Sequence, residues 1–248
     1  MGFKDHFSSA AASYAAHRPT YPAELVAFLA SASPARDLAW DCGCGSGQLS
    51  TLLAGPFARV VATDASPDQV AKARPHPGVT YRCAPAEGSA LPDGCADLVV
   101  AAQAAHWFDL PAFYAEVRRV ARPGALVALV TYGIVLLGEP ALDEAMGRFY
   151  RGALHPFWPP ERRHVEDGYR SLAFPFPEVP APPLAMRAEW TLGQLVGYLH
   201  TWSAVLAMER AGEAAALAAF ESRLAAGWGP AETVRTIRWP LAVRAGRV

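Results

Sequence analysis

Apolar and polar positions along the chain follow two regimes that meet near Gly138. Before it, short apolar runs alternate with stretches of helical period. Pro22–Ala32 has helical spacing, Leu38–Trp40 reads as a short buried strand that breaks at glycines, and Gln48–Leu53 continues as helix. "RVVATD" (Arg59–Asp64) is a β-branched strand. Pro67 opens a helix at the position where a missing N–H is tolerated, and "VTYRCA" (Val79–Ala84) is a third strand. "DLVVAAQ" (Asp97–Gln103) is almost continuously apolar, as expected of a strand covered on both faces of a parallel sheet. Pro111–Ala121 follows as a helix ended by "RPG", and "ALVALVTY" (Ala125–Tyr132) is a fifth strand. Strand and helix alternating five times predict a doubly wound α/β sheet.

Beyond Gly138 the alternation stops. Proline and aromatic residues crowd between Phe149 and Pro183. "LAMRAEWT" (Leu184–Thr191) and "TVRTIRWPLAVRAG" (Thr233–Gly246) then read as strands that enclose helical periods at Leu192–Met208 and Glu213–Trp228. The prediction is a seven-stranded, mostly parallel sheet with helices on both faces, its last strand pair carrying an inserted α-helical cap.

Composition narrows the class. With 248 residues, 52% hydrophobic and 18% charged, the chain suits one globular unit with a lid. The formal net charge of −1 and a pI near 6.7 provide no general basic field, so neither nucleic acid nor an anionic membrane surface is expected as partner. The amino-terminal stretch lacks an unbroken apolar core of signal-peptide length, and a cytoplasmic location is expected. Cys42, Cys44, Cys83 and Cys95 lack the paired spacing of a zinc site; they read as reduced thiols, and no metal is expected.

Candidate chemistry begins at "LAWDCGCGSGQLS" (Leu38–Ser50). Gly43, Gly45 and Gly47 stand at alternate positions between a strand and a helix, which leaves backbone N–H groups accessible to a ligand. The spacing differs from the G-x-G-x-x-G of dinucleotide folds, and Asp41 stands too close for a pyrophosphate. An acid there suits a positive group, such as an amino acid's ammonium. Asp64 ends the next strand, where a carboxylate can accept both hydroxyls of a ribose. Together they describe a nucleoside joined to an amino acid.

With "DCGCGSG", "VVATD", "APAEGSALPDGCADLVVAAQAAHWFD" and "VRRVARPGALVALVTYG", the chain resembles the class I S-adenosylmethionine-dependent methyltransferases of the type 11 branch, over roughly Ala39–Gly133. The resemblance implies a Rossmann-like core over 35–138, with an amino-terminal flap and helix over 1–34. It also implies a helical cap with the terminal strand pair over 139–248. S-adenosylmethionine would be the cofactor, with Gly43 and Gly45 under its methionine part, Asp41 at its amino end and Asp64 on its ribose. Ala86 and Glu87 would border the adenine, and Gln103 would face the cofactor. Pro85 stands where many relatives carry an acid. "YAAHRPTYP", "HWFD", "FWPPERR" and "GYLHTWS" extend the resemblance to the trans-aconitate methyltransferase subgroup. There the amino-terminal segment folds over the cofactor, which makes Tyr14, Arg18 and Tyr21 candidates for its methionine end. The subgroup points to a small-molecule acceptor that is a carboxylic acid.

Aromatic residues mark the acceptor side: residues 36–105 contain three, whereas residues 106–202 contain fifteen. Trp107, Phe157, Trp158, Tyr198 and Trp202 are the candidate substrate lining, though buried aromatics equally build cores. His106 is the candidate catalytic residue. It would take a proton from a hydroxyl, amine or thiol acceptor, and would merely position a carboxylate. Arg162 and Arg163 either bind a carboxylate bidentately or are solvated, and His200 is either a pocket group or an exposed helix residue. Rival readings are a noncatalytic cofactor-binding module and an NAD-dependent oxidoreductase.

Overall fold

The computed structural model describes residues 19–248. In chain order these residues form α1 (Ala23–Ala32), β1 (Leu38–Cys42), α2 (Ser50–Leu53), β2 (Arg59–Asp64), α3 (Pro67–Ala71), β3 (Val79–Cys83), β4 (Ala96–Ala102), α4 (Leu110–Val120) and β5 (Ala121–Tyr132). Then come α5 (Pro140–Arg151), α6 (Arg162–Glu166), β6 (Glu178–Val179), β7 (Leu184–Trp190), α7 (Leu192–Leu199), α8 (Ser203–Arg210), α9 (Ala214–Trp228) and β8 (Arg235–Arg247). Tight 3-10 turns occupy Ala105–Trp107 and His155–Phe157.

The sheet runs β3-β2-β1-β4-β5-β8, with β6 and β7 on the far edge of β8. β8 runs antiparallel to its neighbours while β1 to β5 are parallel, so the sheet is mostly parallel as expected. It has eight strands rather than seven. β6 pairs Glu178 and Val179 with Gly246 and Ala245, and β7 pairs Leu184–Trp190 with the amino-terminal half of β8. Between them lies Pro180-Ala181-Pro182-Pro183. Proline has no N–H for the ladder, so the seventh position is filled in two pieces.

Strand alternation feeds two cores. Ala39, Val60, Leu98, Val100, Leu126 and Ala128 pack with Leu25 and Leu29 of α1 and Leu53 of α2. Their neighbours Trp40, Val61, Val99, Val127 and Leu129 point to the other face and pack with Phe113, Val117 and Val120 of α4. The cap extends the first core: α5 lies against α9, where Phe149 and Phe220 stack with ring centroids 4.1 Å apart.

Two local expectations fail for tertiary reasons. "RPG" is not a loop; β5 starts at Ala121, and Gly124 takes up a positive φ of 78° inside it. The stretch Leu192–Met208 is two helices. Thr201 turns both its amide and its hydroxyl onto the Tyr198 carbonyl, at 3.0 and 2.7 Å, and Trp202 becomes extended as its ring enters an aromatic cluster. Pro140–Arg151, which the sequence reading left unassigned, forms a helix with Leu142, Met146, Phe149 and Tyr150 on its buried face.

β1 is the point from which the chain first builds outwards through β2 and β3 and then returns to β4 on its other side. Such a reversal opens a crevice at the carboxyl ends of the strands. The opposite end is a buttress. Asp97 is fully buried, accepts from the amides of Asp37 and Leu38 at 2.8 and 3.0 Å, and pairs with Arg122 at 2.8 Å. On the flank, Glu116 of α4 holds the β3–β4 loop. It accepts from the Ser89 amide and hydroxyl at 2.8 and 2.5 Å and from Arg119 at 2.7 and 2.8 Å, and Arg119 in turn donates to the Leu91 carbonyl.

The Arg119 guanidinium, opposed in part by burial and reinforced by Ser89, pulls the Glu116 carboxyl down to about 2. A depressed carboxylate stabilises the fold above its unfolded value and loses that contribution as pH falls toward 2. Glu116→Gln should therefore lower stability by about 2–3 kcal/mol at pH 7 and flatten the acid-unfolding profile below pH 4.5. Denaturant unfolding across pH checks both.

Candidate functional site

At the end of β1 the chain folds back over β2. The amides of Gly43 and Cys44 both donate to the Thr63 carbonyl, at 2.8 and 3.0 Å, and the Gly45 amide donates to Asp64 Oδ2 at 2.8 Å. The other Asp64 oxygen accepts from the Ser66 amide at 2.9 Å. Each glycine has a positive φ, yet each serves differently. A Cβ on Gly43 would sit 2.4 Å from the Ala104 Cβ, and one on Gly47 would sit 2.1 Å from the Tyr81 hydroxyl. Gly45 has only Gln69 Oε1 nearby, at 3.8 Å, so its backbone stays open to the crevice.

Asp41, 1% exposed, accepts from the Ser50 hydroxyl at 2.6 Å through Oδ2, while its Oδ1 is buried with no hydrogen-bond partner among the described residues. Burial pushes its carboxyl up to about 7; the Ser50 bond opposes the shift and the Asp64 charge adds to it. An acid left half-satisfied in this way can accept an ammonium group. Cys42 donates to the Val100 carbonyl, and burial beside Asp41 holds the thiols of Cys42 and Cys44 protonated.

Ala86 is buried in the β3–β4 loop. Glu87 accepts from the Asp109 amide at 2.9 Å and so ties this loop to the start of α4. Gln103, just past β4, adopts a left-handed φ of 55°. Its side chain turns toward β5, donating to the Tyr132 carbonyl at 2.9 Å and accepting from the Thr131 hydroxyl at 2.8 Å. Tyr21 is buried against the first core, and Tyr14 and Arg18 lie outside the described residues.

His106 sits in the turn after β4, with Nδ1 2.8 Å from the Tyr169 hydroxyl. Tyr169 is fully buried in a left-handed conformation, φ 64°, and its hydroxyl also meets Thr131. Burial pushes the His106 imidazole down to about 3, with the Arg162 and His164 charges adding to the shift. The ring is therefore neutral at ordinary pH.

Of the five aromatic candidates, Trp158, Tyr198 and Trp202 form one cluster together with Tyr150. Trp158 and Trp202 centroids are 5.7 Å apart, Tyr198 and Trp202 5.6 Å, and Tyr150 stands 5.3 Å from Trp158. Phe157 packs beside the same core. Trp107 stands apart, 38% exposed and 4.8 Å from the His106 ring. His200 bridges the cap instead of entering the cluster, with Glu209 at 2.9 Å and Glu221 at 2.8 Å. Tyr150 and Tyr169 escaped the sequence reading. Helical spacing along Leu142–Tyr150 was the available signal for the first; the second meets His106 across 63 positions and carries no local one.

A family model described as a methyltransferase domain matches residues 40–129. The chain is 34% identical over 213 residues to a protein of Dictyostelium discoideum assigned as a methyltransferase, covering 85% of this chain and 81% of that one. A solved structure from Anaeromyxobacter dehalogenans, assigned as a type II methyltransferase, matches with a TM-score of 0.88 and 51% identity over 93% of this chain and 97% of that one. The malonyl-[acyl-carrier protein] O-methyltransferase of Serratia marcescens is 34% identical over 137 residues, 54% of this chain and 53% of that protein. Among the described residues no helix is long and apolar enough to cross a membrane. With its glycine turn, strand-end acids and switch-point crevice, the chain belongs to the S-adenosylmethionine-dependent methyltransferases of type 11.

Proposed function

We propose that the chain moves a methyl group from S-adenosylmethionine to a carboxylate oxygen of a small-molecule acceptor, giving a methyl ester. The observation that carries this reading is His106, buried against Tyr169 and held at about 3. A general base works best with a pKa near the operating pH. An imidazole this acidic is a poor base for a hydroxyl or amine, whereas a carboxylate arrives ionised near neutral pH and needs none. Similarity to an O-methyltransferase that acts on malonyl-[acyl-carrier protein] agrees with a carboxyl acceptor.

S-adenosylmethionine supplies the electrophilic methyl group. In the proposed arrangement Asp41 receives the ammonium on its unpartnered Oδ1, the bare backbone of Gly43 and Gly45 runs under the methionine part, and Asp64 accepts from the ribose. Ala86 and Glu87 border the adenine, and Gln103 holds the carboxyl end of β4 against β5 next to the methyl group. His106, neutral, positions the acceptor. The chain's work is alignment and exclusion of water, as an in-line displacement at carbon requires.

Two outcomes follow. Because Asp41 titrates near 7 without ligand, an ammonium-bearing cofactor must displace its proton at low pH. Calorimetry should find S-adenosylhomocysteine bound about tenfold more weakly at pH 6 than at pH 8, with Asp41→Asn binding weakly and without that dependence. A carboxyl raised from 3.8 to about 7 favours the ligand-free fold below 3.8 and loses that contribution as pH rises through 7. Asp41→Asn should therefore raise the ligand-free Tm at pH 8.

For His106, kcat should show no imidazole limb between pH 5.5 and 8. His106→Gln should lower kcat/KM by about tenfold, short of the 10²–10⁴ loss expected for a general base. A depressed histidine leaves stability complete above 6.5 and erodes it as pH falls toward 3, so the same variant should resist acid better. A steep pH limb near 6 that vanishes in His106→Gln would restore the base and remove the carboxylate argument.

A further inference from the structure

Arg162 forms no salt bridge among the described residues. Its Nε donates to the Tyr150 hydroxyl at 2.7 Å, and its guanidinium carbon lies 4.5 Å from the Trp158 ring centroid and 5.7 Å from that of Tyr150. Glu166 also interacts with the Tyr150 hydroxyl. The two terminal nitrogens of Arg162 donate to no acceptor among the described residues, and the group is in no ion pair there. Beneath it, the Trp158 indole N–H is buried and has no hydrogen-bond partner among the described residues. Buried donors are nearly always paired. The Trp158 N–H is such an exception, and the terminal nitrogens of Arg162, which are not buried, are open to an acceptor from outside.

The position of this cation is functional as well as odd. α6, which begins with Arg162, packs against the His106 turn and against β5. The Arg162 charge therefore reaches the ring that follows the carboxyl end of β4. Arg163, its neighbour, points outward and contacts only His164 among the described residues. A guanidinium fork pressed on an aromatic face is pre-organised for a planar anion with two parallel oxygens.

We propose that Arg162 and the Trp158 N–H form the receptor for a carboxylate of the methyl acceptor, and that Arg162 sets the preference for acids over their neutral isosteres. This rests on the carboxylate reading above. The Trp158 ring meets Tyr150 and Trp202 at centroid distances of 5.3 and 5.7 Å, so the receptor borders an aromatic cluster, and an acceptor with an apolar, unsaturated or aromatic body suits it. Arg162 is a specificity residue and takes no proton.

The test uses the full chain saturated with S-adenosylhomocysteine, titrated with benzoate, trans-cinnamate and hexanoate, each against its amide, alongside transfer of radiolabelled methyl to the same acids. The acids should bind at least about tenfold better than their amides, Arg162→Lys should weaken them about tenfold and Arg162→Met about a hundredfold. Trp158→Phe, which keeps the wall and loses the N–H, should weaken them severalfold. S-adenosylhomocysteine affinity should be unchanged in all three, which separates loss of the receptor from loss of the fold. Acids that bind and react equally well with the wild type and Arg162→Met would overturn the receptor while leaving the carboxylate reading intact. Acids that neither bind nor react with the wild type, with S-adenosylhomocysteine still bound, would overturn both.

Discussion

The site depends on a missing side chain at the end of β1. Gly43 has no Cβ, and the loop leaving β4 occupies that space; with an alanine there, two methyl carbons would stand 2.4 Å apart. The close approach is possible because the Gly43 and Cys44 amides turn onto the Thr63 carbonyl, with Gly43 in a left-handed conformation that side-chain-bearing residues resist. The turn after β4 inherits its place from this contact. Gln103 takes its own left-handed turn one residue before Ala104, β5 grips its amide, and the next turn delivers His106 to Tyr169. Two non-glycine residues in left-handed conformations, Gln103 and Tyr169, thus lie within one connected set of hydrogen bonds through Thr131. Strain of this kind persists only where surrounding bonds over-determine it.

How much of this was legible before folding follows from the range of the interactions. The first five strands announce themselves, because a buried parallel strand is a short apolar run and the breakers around it are local. Asp41, the glycines and Asp64 are equally local, set by one strand–turn–helix unit and its successor. The cap was legible in outline only. Thr201 and Trp202 lie in helical period and still break the helix, because a side-chain bond to the Tyr198 carbonyl and an aromatic cluster outweigh propensity. The seventh sheet position is split by prolines, which reads as loop. Arg162 looks like half of a solvated pair until α5 delivers Tyr150 beneath it, and nothing in "DGYR" marks Tyr169 as the residue behind His106.

The charges of the site make a consistent arrangement. On the proposed reading Asp41 stands at the ammonium end of the crevice with an oxygen unused, and Arg162 stands at the acceptor end with its terminal nitrogens in no hydrogen bond among the described residues. In the proposed transfer a sulfonium donor and a carboxylate acceptor would meet as opposite charges and leave as a neutral thioether and a neutral ester, so charge would be lost on the way to the transition state. A dry, low-dielectric enclosure favours such a step, because little solvation has to be retained. A strong ion pair to the acceptor works the other way, by stabilising the charge that must disappear. In the proposed receptor, sharing Arg162 resolves the tension. Its Nε is given to Tyr150 and its face to Trp158, which leaves a fork able to hold and orient an acid while part of its charge is already met by the π-face. A neutral His106 beside it adds a polar contact and no second positive charge. Under the proposal, recognition of an anion and its conversion to a neutral ester share one enclosure, because the cation proposed to select the acid is itself partly satisfied by the aromatic ring beside it.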